Sequence, residues 1–422
     1  MVKVNIGLDI GTSTSKVVIS SKYTTDNNFY VVNFGELGVK GATYLLPTVI
    51  AKKNKSDVGF QSHYLPKFGE KKCYIRKDLK IRYLKNPNNT TVRNMLTWYI
   101  ARVLEYSINW FLNNYGNKGD YATEEIEWFI SAGIPTKDAE DKKIDNFTNL
   151  ITEAYKLLNT CQIYHVEIHP EIYAAMQFYV NRDSVQPDGF YGAIDVGAGT
   201  VDIAMFTIVS DNLGRPTYNT LAADVKYLGA NMYKDEMIKV IKEYNHEYAD
   251  YLDKMFSKQN KIPEDKSQYC CGLANKNKII KELEEKEENF KKKFRKQLGD
   301  LMNDVRMVKN PLASVWQGKG TLLFFVSGGG SNISLYKEVI KDISESYQKR
   351  TSCNGIEIID VDDTKVVSTC SSKIDKLYTT VAIGLSSSDI FGGTYVPPSK
   401  IPNSVKWTPK VSQPIFVSKD MT

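Results

Sequence analysis

The sequence predicts an α/β protein built as two related α/β domains, and three observations predict it. Strand-like and helix-like segments alternate between residues 126 and 180. A motif of aspartate, glycine and hydroxyl residues at positions 8–16 returns at 193–205. The 422 residues exceed the ~250–300 that one hydrophobic core organises.

Taken in order, Val4–Leu8, Val17–Ser20 and Phe29–Phe34 read as strands around the turn LDIGTSTSK. Asp9 interrupts an otherwise apolar strand, and an unpaired carboxylate there would be costly to desolvate, so it demands a partner. Residues 52–94 are polar, rich in Lys, Asn and Tyr, and carry no clear period. Residues 95–113 predict a buried helix, since Leu96, Tyr99, Ile100, Val103, Leu104 and Ile108 recur at helical spacing. Strand Ile126–Ala132, helix Asp138–Leu158, strand Gln162–Ile168 and helix Glu171–Val180 follow. The second half reads as a strand near Asn219–Val225, a helix from Asn231, a charged helix from about 277 to 305, a strand Thr321–Val326 and a helix from Ile333. Residues 391–422 hold five prolines and read as an extended tail.

The opening motif returns as AIDVGAGTVDIAM, with Asp9 matched by Asp195, Gly11 by Gly197 and Thr14 by Thr200, each pair 186 positions apart. A chance hairpin has no reason to recur with its aspartate. Glycines at 11, 197 and 199 let backbone amides approach a ligand, and hydroxyls at Thr12, Ser13, Thr14 and Thr200 add donors, which makes each turn a phosphate cradle. Lys16 supplies a point charge for phosphate oxygens. Two aspartates turned toward one ligand need a cation, and hydrated Mg²⁺ on a nucleotide's phosphates meets that need with Asp9 and Asp195 as outer partners through water. The segment Val326-SGGGSN-Ile333 places three glycines between a strand and a helix start, where ribose or phosphate can lie against backbone.

Composition narrows the function classes. Hydrophobic residues at 42% and charged residues at 25% describe a soluble globular chain. Six cysteines without a C-x-x-C pair and four histidines exclude a zinc cluster, and they fit a reduced, cytoplasmic setting. The net charge of +6 is mild, and the run KELEEKEENFKKKFRKQ mixes both signs as a solvated helix face does, so direct nucleic-acid binding is not expected. No signal peptide and no apolar run near eighteen residues is read, so no membrane association is expected.

Together these motifs resemble the phosphate and adenosine motifs of the superfamily of actin, sugar kinases and heat-shock chaperone ATPases. Leu46-Pro-Thr-Val-Ile50, Leu228-Gly229 and Thr379-Thr-Val-Ala-Ile-Gly-Leu385 add to the resemblance, which covers about residues 4–388. Lys16 and the DVGAGTVD copy make the chain most similar to the bacterial actin-like plasmid-segregation ATPases of ParM type. The resemblance implies an actin-like fold, two duplicated domains around a nucleotide cleft. Domain I would span 1–180 with an insertion at about 35–94, domain II 181–350 with an insertion at about 231–320, and 351–390 would return to domain I.

It also implies roles. Gly11, Thr12, Ser13, Thr14, Lys16, Gly197, Ala198, Gly199, Thr200 and Asp202 would bind nucleotide phosphates, and Gly328, Gly329, Gly330 and Ser331 the adenosine. Asp9 and Asp195 would serve Mg²⁺, and Glu171, after Pro170 at the start of the connecting helix HPEIYAAMQFY, would position the attacking water. The implied function is a filament-forming ATP (or GTP) hydrolase. It would assemble head to tail with itself and reach plasmid DNA through a DNA-binding adaptor protein. The alternatives are a small-metabolite (sugar) kinase of the same superfamily, for which no sugar-binding pattern stands out, and a non-polymerising chaperone-like ATPase, for which too little chain follows the last motif. Residues 52–94 and 247–276 fit an ATPase core least and are the expected polymer contacts.

Overall fold

The computed structural model describes residues 1–21, 28–52, 63–67, 74–139, 141–158, 163–180, 189–210, 216–259, 262–309, 314–317, 320–351, 353–359, 366–371, 373–391 and 394–402. The protein is mixed α/β and divides into two units, Met1–Val185 with Val361–Gly393, and Gln186–Asp360 with Thr394–Thr422.

The first unit opens with strands β1 (Val2–Ile10), β2 (Thr14–Ser21), β3 (Phe29–Val31), β4 (Leu46–Pro47), β5 (Ile50–Lys52), β6 (His63–Tyr64) and β7 (Tyr74–Arg76). It continues through helices α1 (Leu79–Lys85), α2 (Thr90–Tyr115) and α3 (Asp120–Thr123), strand β8 (Ile126–Ile134), helix α4 (Asp141–Tyr155), strand β9 (Ile163–Pro170) and helix α5 (Glu171–Val180). The second unit carries β10 (Gly189–Val196), β11 (Val201–Ser210), β12 (Pro216–Lys226), α6 (Ala230–Tyr244), α7 (His246–Gln259), α8 (Lys276–Asp304), β13 (Leu322–Ser327), α9 (Ser334–Arg350) and β14 (Ile356–Ile359). β15 (Val366–Val367) and α10 (Lys376–Phe391) rejoin the first unit, and β16 (Thr394–Val396) joins the second.

The two main sheets have one topology. The first runs β15-β3-β2-β1-β8-β9 and the second β16-β12-β11-β10-β13-β14. In each, the first three strands form an antiparallel meander, the next two add in parallel beyond the first, and a late strand pairs in parallel with the third. The motif duplication is therefore a duplication of architecture, with each Asp-x-Gly turn at the corner between the first and second strands of its sheet.

β1 is buried on both faces, which is why its sequence reads as a nearly continuous apolar run. Its polar exceptions are tied down. Asn5 Nδ2 donates to the carbonyls of Leu385 (3.1 Å) and Ser386 (2.8 Å) on α10. Gly7 lets the same helix approach, since a Cβ there would lie 2.1 Å from the Ala382 carbonyl oxygen. Gly384 does the same between α10 and α5, where a Cβ would meet the Ala174 carbonyl oxygen at 1.6 Å. In the second unit α6, α7, α8 and α9 enclose one core that includes Met237, Leu252, Phe256, Phe294, Leu298, Tyr336 and Val339.

Several boundaries depart from the sequence reading. The second helix begins at Thr90 rather than 95, because Asn89 caps it by accepting from the Val92 amide at 3.1 Å. β3 stops at Val31, short of Phe34, and Asn33 Oδ1 accepts from the Gly35 amide in a turn. The helix expected from Asp138 starts at Asp141, because Thr136–Asp138 form a 3₁₀ turn. The polar stretch 52–94 contains most of a small sheet, β6-β5-β7, and α1. Residues 247–276 are not peripheral on every side: Ala249, Leu252, Phe256, Tyr269 and Cys270 are buried in the second unit's core. The tail expected over 391–422 is corrected at 394–396, where β16 pairs Tyr395 with Tyr218 and extends the second sheet; residues beyond 402 lie outside the described residues. Among the described residues no helix is long and apolar enough to cross a membrane.

Candidate functional site

The first turn is set by β1 and β2, whose antiparallel register places Asp9 directly opposite Lys16. Lys16 Nζ lies 2.9 Å from Asp9 Oδ2, and the two side chains are 14% and 8% exposed, so the aspartate's partner is a lysine on the facing strand. Gly11 is required by this geometry: a Cβ would stand 2.4 Å from the Thr14 carbonyl oxygen. Gly11, Thr12, Ser13 and Thr14 are all half-buried and line the turn.

Behind the turn lies a hydroxyl cluster. Thr48 N donates to the Ser13 carbonyl (2.8 Å), the Ser15 and Thr48 hydroxyls are 2.9 Å apart, and Tyr99 OH donates to Ser15 Oγ at 2.9 Å. Burial pushes the Tyr99 phenol up, so it stays a neutral donor. Thr48 belongs to the Leu46–Ile50 segment singled out in the sequence; Ser15 and Tyr99 read there only as a small polar residue and a core residue.

Glu171 opens α5 at the carboxyl end of β9. β1, β8 and β9 are mutually parallel, with Leu8 beside Ala132 and Gly133 beside His169, so Asp9 and Glu171 lie at the same end of the sheet. In doubly wound sheets that end is where ligands bind. Glu171 Oε1 is ion-paired with Lys80 Nζ, which also donates to the Gly133 carbonyl at 3.0 Å. The Lys80 side chain is only 4% exposed. Lys80 lay in the unpatterned stretch, and no period or motif marks it in the sequence.

The second turn is fixed differently. β10 and β11 place Asp195 opposite Asp202, the position that corresponds to Lys16 in the first copy. Asp195 Oδ1 accepts from Ser327 Oγ at 2.8 Å, and Asp202 is buried. Three carbonyls of the turn are held by the start of α6: Gly197 O by the Ala230 amide (3.0 Å), Ala198 O by Asn231 (2.7 Å) and Gly199 O by Gly229 (3.3 Å). Gly229 permits that approach, since a Cβ would meet Gly197 O and the Thr200 nitrogen at 2.6 Å. In a planar trans peptide the C=O of one residue and the N–H of the next point oppositely, and no cis peptide bond occurs among the described residues. The amides of Ala198, Gly199 and Thr200 are therefore directed away from α6, the arrangement of an anion nest.

The glycine run backs this turn. Gly328 takes φ +84°, where a Cβ would press on Val196 O at 2.4 Å and Asp195 Oδ1 at 2.7 Å. Gly328 and Gly329 are half-buried, whereas Gly330 and Ser331 are buried and Ser331 Oγ donates to the Gly328 carbonyl. The first pair is open to contact; the second pair serves the 3₁₀ turn Gly329–Asn332 that leads toward α9.

In the second unit Asp195, Gly197–Thr200, Asp202, Gly328 and Gly329 gather at one corner; in the first, Asp9, Gly11–Thr14 and Lys16 share one turn, and Glu171 stands at the same end of the sheet, with β8 between β1 and β9. Among the described residues no three acids, imidazoles or thiolates gather as a closed metal cage. The cross-strand carboxylates of Asp195 and Asp202 would suit Mg²⁺, which keeps waters and takes one or two carboxylates with phosphate oxygens. The facing acids Asp195 and Asp202 fit a nearby cation better than Asp9, already neutralised by Lys16. No protein-family model matches the chain, and no curated protein resembles it to a significant degree.

Proposed function

We propose that the protein is a Mg²⁺-dependent nucleotide hydrolase of actin-like fold that assembles with itself into filaments, with ATP or GTP as substrate. The observation that carries this reading is the second turn, whose three carbonyls are held by α6 so that three successive amides are directed outward beside two aspartates. The same hairpin, at the same corner of a sheet of the same topology, carries Lys16 in the first unit. Phosphate oxygens would take the amides of the second turn, and the first turn, by its hydroxyls and ammonium, offers phosphate donors of its own. Bound Mg²⁺ would neutralise phosphate charge, with Asp195 and Asp202 beside it. Glu171 would orient water toward the terminal phosphate.

Plasmid segregation through a DNA-binding adaptor follows as the cellular role, by the resemblance of the motifs to ParM-type proteins. Pelleting and negative-stain microscopy with and without Mg-ATP or Mg-GTP, paired with phosphate release, test the biochemical reading. Fibres above a critical concentration are expected, as an open head-to-tail contact requires. A monodisperse particle that phosphorylates members of a sugar panel would replace this reading with a metabolite kinase.

A further inference from the structure

We propose that Lys80 is the positioning residue for Glu171, an inference that rests on the hydrolase reading above. The Glu171 stem is confined on several sides. A Cβ at Gly133 would stand 2.9 Å from Glu171 Cγ and 3.4 Å from Leu385 Cδ1, so the side chain lies across the end of β8 in a space that only glycine leaves. Its Oε1 is taken by the Lys80 ammonium, whose other contact is the Gly133 carbonyl. One cation thus joins the carboxylate to the backbone of the strand beside it.

Lys80 is itself held firmly. It is the second residue of α1, flanked by buried Leu79, and Tyr83 one turn on is also buried, with its OH donating to the Asn146 carbonyl at 2.9 Å. Asp78, at φ 58°, turns the chain out of β7 and into that helix. A well-packed apolar pair would give comparable or better stability than a buried ion pair, so stability alone does not call for these charges. Positioning does. A carboxylate that orients water must keep its place when nucleotide binds, and a buried ammonium fixed to the neighbouring strand keeps it there.

The test compares wild type, Glu171→Gln, Lys80→Met and the double variant, in Mg-ATP. Phosphate release at saturating nucleotide is measured beside affinity for a fluorescent ATP analogue. Glu171→Gln should slow turnover by about 10²-fold or more, and Lys80→Met by about 10-fold or more, both with affinity within about threefold of wild type. The double variant should be no slower than Glu171→Gln alone, because residues that act through one another are not additive. Should Lys80→Met fail to fold, Lys80→Gln keeps a donor without the charge. The double variant has no carboxylate left to strand, so it serves as the folded control. Lys80→Met at wild-type turnover, a loss seen only in affinity, or additive losses in the double variant would overturn the role of Lys80. Wild-type protein that releases no phosphate would instead overturn the hydrolase reading, and Glu171→Gln at wild-type turnover would overturn both residues' roles.

Discussion

Lys16 and Asp202 occupy the same place in the two hairpins, each directly across the antiparallel pair from the motif's aspartate. The first hairpin therefore holds a neutralised pair and the second holds two acids side by side. Cross-strand pairs of opposite charge stabilise a sheet, and like charges directly opposite destabilise it. The duplicated turns have thus diverged in charge: the first sets a lysine across from its aspartate, and the second sets a second aspartate there, where in the proposed reading a bound cation would relieve their repulsion.

That divergence makes Asp202→Asn informative. Removing one of two facing acids should stabilise the nucleotide-free protein by about 0.2–1 kcal/mol. At ~2–4 °C per kcal/mol for domains of this size, the melting temperature should rise by roughly 0.4–4 °C. The further rise caused by Mg-nucleotide should shrink, since less repulsion remains to relieve. Differential scanning fluorimetry with and without Mg-ATP reads both quantities. A fall in the nucleotide-free melting temperature would mean that Asp202 serves the fold as an acceptor.

Nucleotide should stabilise the wild-type protein as a ligand that binds only the folded state. At about a hundredfold excess over its dissociation constant the gain is ~2.7 kcal/mol. Asp195→Ala should abolish most of the Mg²⁺-dependent part of that shift. Lys16→Ala should weaken binding with or without the metal, if its charge acts on phosphate directly as proposed. Melts that do not move with Mg-ATP would remove the nucleotide from the proposal.

The sequence made the sheet corners legible because their chemistry is local. An aspartate ending an apolar run, a glycine and hydroxyls specify a strand and a tight turn within nine residues, and the second copy marked the duplication. Strand β16 was not legible: three residues among prolines acquire their structure only by pairing with β12. Lys80 was hidden for a similar reason. Its surroundings of lysines, asparagines and tyrosines read as solvated surface, and its partner Glu171 lies 91 positions away. Local patterns report which residues form a turn; they do not report what a distant chain segment brings to it.

β9 offers a pH-dependent measurement. His165, Glu167 and His169 alternate along the strand, with His165 Nε2 2.9 Å and His169 Nε2 3.1 Å from the two Glu167 oxygens. The hydrogen bond from His169, reinforced by the His165 side, holds the Glu167 carboxyl down to about 2. A carboxyl depressed in the folded state contributes stability that is present above its ordinary value of 4.5 and is lost as pH falls toward 2. The difference in melting temperature between wild type and Glu167→Gln should narrow steadily from pH 5 to pH 3. A difference that stays constant over that range would show that Glu167 stabilises the strand by packing rather than by charge.

Glu171 should separate assembly from disassembly. If it orients water for in-line attack on the terminal phosphate, its loss removes positioning and polarisation of the nucleophile, an effect of roughly 10²–10⁴ in rate. Nucleotide affinity should survive, because in the proposed reading the turns, and not this carboxylate, take the phosphates. Filament growth then needs only the nucleotide-bound state, whereas collapse needs the phosphate gone. Glu171→Gln protein should therefore polymerise with Mg-ATP and persist, while wild-type filaments fall apart as nucleotide is consumed. Light scattering and phosphate release recorded on the same sample decide between the outcomes. Filaments of the variant that disassemble on the wild-type schedule, with hydrolysis undiminished, would reduce Glu171 to an acid that favours the start of α5 through the helix dipole.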